Sequence, residues 1–245
     1  MPYPPEILLL AVLVVAAAYT VFGLTGFGST VLALPVLALV LPLKFAVPML
    51  MLLDLCAFFV MGASFRKRVD FREIAWLVPF MLAGMALGLT LLIRVAEYYL
   101  LGVLGVFLLA YAGYGLGRKG GPVSLARAWC VPIGFVGGAF SALFGTGGVL
   151  FALYNAGRTT DKQTLRANNA AMIMLSSIVR VVIFAAAGLL AQDGLLAFAA
   201  MLVPSLLGGL WLGNRLHAAV PAAAVVRSVY ALLVIAGLTL LARSL

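Results

Sequence analysis

Charged side chains are scarce in this sequence. Asp, Glu, Lys and Arg together make up 9% of the 245 residues, whereas a soluble domain carries about 25%. Hydrophobic residues reach 65%, against about 45–50% in soluble domains. So few charged side chains would not cover the surface of a soluble particle, which excludes a single soluble domain and a disordered chain. The mean hydropathy of +1.21 instead predicts a protein embedded in lipid.

Cysteine, histidine and acidic residues are also rare, and this argues against an enzyme. Both cysteines, Cys56 and Cys130, lie inside apolar runs, so no structural disulfide is expected. The single histidine cannot form a zinc-binding pair, and neither a P-loop nor a nucleophile elbow is present. We therefore predict no catalytic residues, no metal site and no cofactor. The net charge of +9 does not indicate nucleic acid, because the basic residues lie in short gaps between apolar runs.

Ten apolar segments follow one another along the chain, separated by Gly, Pro and charged residues. A membrane-spanning helix needs roughly 20 apolar residues, so the composition predicts an all-α polytopic membrane protein. The segments cover approximately residues 6–23, 28–41, 45–63, 74–93, 98–117, 128–144, 148–156, 167–190, 195–213 and 224–242.

Two junctions between segments are rich in glycine and contain no charge. Residues 23–29 join the first and second segments, and residues 144–148 join the sixth and seventh. Irregular backbone at membrane depth is tolerated only where protein or a wet cavity surrounds it. We expect either re-entrant hairpins or tight full crossings at these junctions, and the short seventh segment favours re-entrant hairpins.

The sequence also repeats internally. Residues 26–34 align with residues 145–153 at an offset of 119. A second match, at an offset of 125, pairs Pro79 with Pro204, Gly84 with Gly209, and Gly88 with Gly213. Two matches in the same order predict two five-segment halves, 1–120 and 121–245, within one membrane domain.

Because each half has an odd number of segments, the second half is expected to be inverted relative to the first. The distribution of basic residues supports this when loop 66–72 is placed in the cytoplasm, because cytoplasmic loops carry an excess of Lys and Arg. Three basic residues then face outside: Lys44, Arg94 and Arg243. Twelve face the cytoplasm: Arg66, Lys67, Arg68, Arg72, Arg118, Lys119, Arg127, Arg158, Lys162, Arg166, Arg215 and Arg227. Both termini are predicted to lie outside.

The helices that begin after the two junctions offer a site for an anion. Their first backbone N–H groups are unpaired, and the helix dipole is positive at that end. Glycine lets a ligand approach the backbone, and Thr25, Ser29, Thr30 and Thr146 add hydroxyl donors. The alternative is that these glycines only allow close helix packing. The predicted substrate-binding residues of the junctions are Thr25, Gly26, Phe27, Gly28, Ser29, Gly145, Thr146, Gly147 and Gly148.

Asp54 and Arg180 are the two charged residues deep inside segments. Helical rise gives them similar depths, about 14 and about 16 Å from the outer ends of their segments, so the two can pair. Either they form a structural ion pair, or Arg180 binds the substrate and Asp54 carries a coupling proton. Asn169 and Ser176 share a helical face with Arg180 and are further predicted ligands; inter-helix hydrogen bonding is their alternative role.

The duplicated Gly-rich element, together with the size and layout of the chain, resembles the TauE/SafE family of sulfite and organosulfonate exporters. The element lies at residues 23–35 and 144–154, and the resemblance covers nearly the whole chain. Pro35 keeps the proline that follows the family element, whereas Tyr154 replaces it in the second half, and Phe27 and Thr146 replace possible glycines. The resemblance implies a plasma-membrane transporter of small sulfur-containing anions.

The predicted function is therefore a secondary transporter that exports sulfite or a small organosulfonate across the plasma (inner) membrane. Inverted repeats with interrupted helices are typical of alternating access around a midplane site. An anion channel and a non-transporting membrane subunit are the alternatives. The expected partners are a small inorganic or organic anion and the lipid bilayer. Coupling to protons or to the membrane potential, and assembly as a homodimer, stay open.

Overall fold

The fold is entirely helical in the part of the chain that the computed structural model describes, residues 4–25, 28–61, 69–117, 124–216 and 222–243. These residues form ten α-helices and one short 3₁₀ helix, Arg127–Trp129, and no strand. The α-helices are α1 (Pro5–Thr25), α2 (Ser29–Leu37), α3 (Leu43–Met61), α4 (Phe71–Arg94), α5 (Glu97–Gly117), α6 (Cys130–Phe144), α7 (Gly147–Arg158), α8 (Lys162–Ala186), α9 (Leu195–Leu216) and α10 (Ala222–Arg243).

Each helix overlaps one of the ten predicted segments, and the ends differ by a few residues. Seven helices are long and apolar enough to cross a membrane within the described residues: α1, α3, α4, α5, α6 with its preceding 3₁₀ turn, α8 and α9. Helices α2 and α7 have nine and 12 residues. At the α-helical rise they extend only about 14 and about 18 Å, against a hydrocarbon core of about 30 Å. The all-helical, polytopic fold is thus confirmed, whereas ten membrane segments are not.

Two helices, α4 and α8, begin at aspartate caps. Asp70 Oδ1 accepts from the backbone N–H groups of Arg72 and Glu73 at 3.1 and 3.3 Å, at the start of α4. Asp161 Oδ2 accepts from the N–H of Thr164 at 2.8 Å, at the start of α8. Because the first N–H groups of a helix have no partner in the helix itself, these carboxylates determine where α4 and α8 start.

Helix α4 packs closely along α6 through two glycines. A Cβ atom added to Gly84 would overlap the carbonyl group of Phe135, and one added to Gly88 would overlap the carbonyl oxygen of Ala139. Small residues let the backbones of two helices approach in lipid, where van der Waals packing drives helix association. These two glycines therefore determine how closely the first half of the chain contacts the second.

Helix α9 packs against α1 in the same manner. A Cβ atom on Gly209 would lie 2.5 Å from the carbonyl oxygen of Ala16, and one on Gly213 would overlap the carbonyl oxygen of Thr20. Gly209 and Gly213 are the residues that the 125-residue offset aligns with the two glycines of α4. The aligned glycines thus make similar contacts, and each contact joins a helix from residues 1–120 to a helix from residues 121–245.

We expect Gly84→Ala and Gly209→Ala to destabilise the protein by about 1–3 kcal/mol each, the usual range for an overpacked core. The added methyl group would force apart α4 and α6 in one variant, and α1 and α9 in the other. Gly208→Ala is the matched control, because a Cβ atom there has no neighbour within 4 Å. Melting temperatures of the purified proteins in detergent measure the effect. Because alanine has a higher helix propensity than glycine, the Gly208 variant should lose no stability, and an equal loss there would show that packing at these contacts is not responsible.

A cluster of charged and polar side chains joins the start of α4 to the second half of the chain. Glu73 accepts hydrogen bonds from Arg127 at 2.7 Å, from Arg158 at 2.8 and 3.2 Å, and from Tyr154 at 3.1 Å. The Glu73 side chain is only 12% exposed, so both arginines pair with a largely buried carboxylate. Arg158 therefore anchors the end of α7 to α4.

Candidate functional site

The two helix breaks expected at the Gly-rich junctions are present. Helices α1 and α2 are separated around Gly28, whose φ is 94°, and α6 and α7 around Gly145, whose φ is 70°. An L-amino acid with a side chain rarely adopts such positive φ values, whereas glycine does so without steric penalty. Gly28 and Gly145 thus each supply a backbone conformation that their junction needs.

Asp54 lies in the middle of α3 and is surrounded by hydroxyl groups. Its carboxylate accepts hydrogen bonds from Tyr19 at 2.7 Å, from Ser29 at 2.7 Å and from Thr30 at 2.6 Å. The three donors belong to α1 and to the first turn of α2. Asp54 therefore connects α1, α2 and α3, and its buried carboxylate accepts three hydrogen bonds, which offset the cost of a polar group in an apolar environment.

Arg180 of α8 lies opposite this carboxylate and is 2% exposed. Its Nη2 is 3.9 Å from Asp54 Oδ2, which is an ion pair but lies beyond hydrogen-bonding distance. Its other contacts are long: 3.3 Å from Nη1 to the carbonyl oxygen of Ser141, and 3.3 Å from Nη2 to Ser177 Oγ. The expected pairing of the two buried charges is thus present, but Asp54 accepts no hydrogen bond from the guanidinium group of Arg180.

A cavity of about 40 Å³ lies between the two junctions and the two buried charges. One water molecule needs about 10–15 Å³ by a comparable measure, so the space suits a small oxyanion or a few waters. Among the described residues, no group of three His, Cys, Asp or Glu side chains is arranged to hold a metal ion. The polar residues that line the cavity are Ser29, Thr30, Asp54, Ser141, Thr146, Ser176 and Arg180.

Two polar atoms of this lining lack a partner within the described part of the chain. They are Thr146 Oγ1 and Arg180 Nε, and both belong to residues that are at least 98% buried. A buried donor without a hydrogen bond is costly, so native proteins rarely keep one without a reason. Arg180 Nε is a hydrogen-bond donor on a cation, and the Thr146 hydroxyl can donate or accept, so either an oxyanion or ordered water would satisfy both.

Most residues predicted to form the site come together here. Ser176 also hydrogen-bonds Ser141 of α6, at 2.7 Å. The hydroxyl of Ser29 donates its hydrogen to Asp54, so this hydrogen is not free to bind a ligand in the cavity. The predicted residues that line the cavity are Gly28, Ser29, Asp54, Gly145, Thr146, Gly148, Ser176 and Arg180.

Two predicted ligands lie outside the cavity lining. Gly147 packs against α6, where a Cβ atom would overlap the carbonyl oxygen of Gly137, so its role in the structure is close helix packing. Asn169 accepts a hydrogen bond from Asn155 of α7 at 2.7 Å. Both positions therefore match the alternative roles that the sequence left open for them.

The three other predicted ligands precede Gly28. Thr25 is the last residue of α1. Gly26 and Phe27 lie outside the residues that the structure describes. A role for these three residues in binding stays a prediction.

Tyr19 and Ser141 were not among the predicted site residues, although both contact them. Each is a hydroxyl-bearing residue within a largely apolar helix, and this is the feature of the sequence that points to them. The apolar part of the lining, which includes Phe22, Phe58 and Ile173, carries no comparable signal, because apolar residues occur throughout the chain.

A comparison with known protein families identifies one match. The family model described as "Sulfite exporter TauE/SafE" matches residues 10–240 of the 245-residue chain. This range includes both junctions, both buried charges and every residue that lines the cavity. No curated protein and no solved structure matches the chain.

Proposed function

Because this chain belongs to the TauE/SafE sulfite exporter family, we propose that it exports sulfite or a small organosulfonate across the plasma membrane as a secondary transporter. The family consists of transporters and not enzymes, and seven helices are long and apolar enough to make this a multi-pass membrane protein. The observation that carries the proposal is the buried guanidinium of Arg180, which faces a cavity with an unsatisfied donor.

The proposed anion site combines one full charge with several neutral donors. Arg180 Nε and Thr146 Oγ1 are available, and neither α2 nor α7 has a side chain capping its first N–H groups. Backbone N–H groups at a helix start attract anions through hydrogen bonds and through the helix dipole. Since Asp54 already balances the charge of Arg180, these neutral groups stabilise the added negative charge of the substrate.

The lengths of α2 and α7 support re-entrant hairpins. Each helix is about half as long as the hydrocarbon core is thick, so a helix that ends at one surface begins near the midplane. The starts of both helices line the same cavity. We propose that the junctions meet at the midplane, as interrupted helices do in many secondary transporters.

The proposal of two inverted halves, 1–120 and 121–245, is supported by equivalent helix contacts. The aligned glycines pack α4 against α6 and α9 against α1. Each half also contributes one junction and one buried charge to the cavity, Asp54 from the first half and Arg180 from the second. Movement of one half against the other would expose this shared site to alternate sides of the membrane, with Asp54 as the proposed coupling residue.

Labelling of single cysteines tests the inverted topology. In a background without Cys56 and Cys130, we expect Asp193→Cys to react with an impermeant maleimide in right-side-out vesicles. We expect Val69→Cys to react only in inside-out vesicles, because the basic loop that precedes α4 faces the cytoplasm. Asp193 lies at an exposed position between α8 and α9. Labelling of both positions from the same side would contradict an inverted repeat.

Transport in proteoliposomes tests the function itself. We expect saturable uptake of sulfite that an imposed pH gradient or membrane potential drives against its concentration gradient, with protein-free liposomes as the control. Sulfate, short organosulfonates and a large aromatic sulfonate complete the panel, and the small cavity predicts that the large one is excluded. Unsaturated, purely downhill flux would indicate a channel, and no flux of any anion would indicate a non-transporting subunit.

A further inference from the structure

The hydroxyl groups around Asp54 are divided between its two carboxylate oxygens. Oδ1 accepts from Tyr19 and from Ser29, both at 2.7 Å. Oδ2 accepts from Thr30 at 2.6 Å, and this is the oxygen that lies 3.9 Å from Nη2 of Arg180. Thr30 therefore donates to the same carboxylate oxygen that lies opposite Arg180.

The distance between the two charges is long for a buried pair of this type. Arginine and carboxylate groups form charge-assisted hydrogen bonds of about 2.7–2.9 Å, frequently two in parallel. In this protein the guanidinium of Arg180 makes no hydrogen bond to Asp54, and its Nε has no partner among the described residues. The guanidinium thus keeps donors for a ligand while the nearby carboxylate still balances its charge.

The second junction adds a steric limit at the same place. A Cβ atom on Gly145 would lie 2.6 Å from Thr30 Cγ2 and 3.0 Å from Arg180 Nη1. The Thr30 methyl group and the guanidinium thus both border the space that a side chain at position 145 would fill. Thr30 is 4% exposed, and its hydroxyl group is bonded to Asp54.

We propose that Thr30 is a positioning residue for anion recognition. By donating its hydroxyl hydrogen to Oδ2 of Asp54, it holds the carboxylate in the orientation that leaves this oxygen 3.9 Å from Nη2 of Arg180, too far for a hydrogen-bonded ion pair. The guanidinium then remains available to the substrate anion. This inference rests on the proposed function and deepens it, because it assigns the control of anion affinity to a residue that itself need not touch the anion.

The near-isosteric variant Thr30→Val tests this role in sulfite uptake by proteoliposomes. With its hydroxyl donor removed, Oδ2 is expected to accept from Arg180. The KM for sulfite should then rise at least tenfold while the maximal rate changes less than twofold. Thr30→Ser keeps the hydroxyl group and should restore a KM within threefold of the parent. Thr90→Val is the matched control, because the Thr90 hydroxyl bonds only the backbone of its own helix, at Ala86, on an exposed face.

Calorimetric titration of the detergent-purified variants with sulfite separates this inference from the proposed site. A parental KM and affinity in Thr30→Val, together with lost binding in Arg180→Gln, would overturn the role of Thr30 and leave the site intact. Parental binding in Arg180→Gln would overturn the site itself. An equal loss in Thr30→Ser and Thr30→Val would assign Thr30 a purely structural role. If Thr30→Val fails to reach the membrane, Thr30→Ala removes the same hydroxyl without adding a methyl group and gives the same test.

Discussion

The variant Arg180→Gln is expected to bind sulfite at least about 100-fold more weakly than the parent and to lose transport. Each hydrogen bond to a charged group contributes about 1.5–3 kcal/mol, so the loss of two such bonds amounts to about 3 kcal/mol or more. The variant should still fold, because the carboxylate of Asp54 keeps its three hydroxyl donors. Arg180→Lys should bind with intermediate affinity, since lysine retains the charge but lacks the planar fork of donors.

Calorimetric titration with sulfite and proteoliposome uptake measure this effect, and the elution profile in detergent reports folding. Arg94→Gln is the matched control, because Arg94 is exposed at the last residue of α4 and does not line the cavity. A correctly folded Arg180→Gln protein with parental sulfite affinity would show that the cavity is not the substrate site.

The variant Asp54→Asn is expected to lose uphill accumulation driven by a pH gradient while it retains downhill exchange of sulfite. A neutral amide cannot carry the coupling proton, whereas Arg180 remains to bind the anion. The change should also reduce stability or insertion. It leaves the guanidinium of Arg180 as an unpaired charge within the membrane, which is unfavourable by at least about 2.5–3.5 kcal/mol on insertion scales.

The double variant Asp54→Asn with Arg180→Gln separates the structural role of the pair from its functional role. Removing both charges should be milder for folding than removing Asp54 alone, because a lone buried charge is less favourable than none. We therefore expect the double variant to insert and fold but not to bind sulfite. Transport at the parental rate with unchanged pH dependence would show that neither charge belongs to the mechanism.

The sequence alone predicted the helices and the places where they break. In lipid every backbone polar group needs an internal partner, so long apolar runs must be helical, and their ends follow from Gly, Pro and charged residues. The same rule drew attention to Gly28 and Gly145, which lie at uncharged breaks and adopt positive φ values. It also drew attention to Asp54 and Arg180, because buried charges in apolar segments require partners.

The structure was needed to decide which neighbouring residues belong to the site. Gly145 and Gly147 are indistinguishable by sequence, yet one lines the cavity and the other packs against α6. The hydroxyl of Ser29 looked like a donor for the anion, but it donates to Asp54, 25 residues further along the chain. Such assignments depend on the angle and distance at which separate helices pack. Local periodicity determines only which face of a helix is polar. The tertiary packing of small and large side chains determines which residues of other helices contact that face.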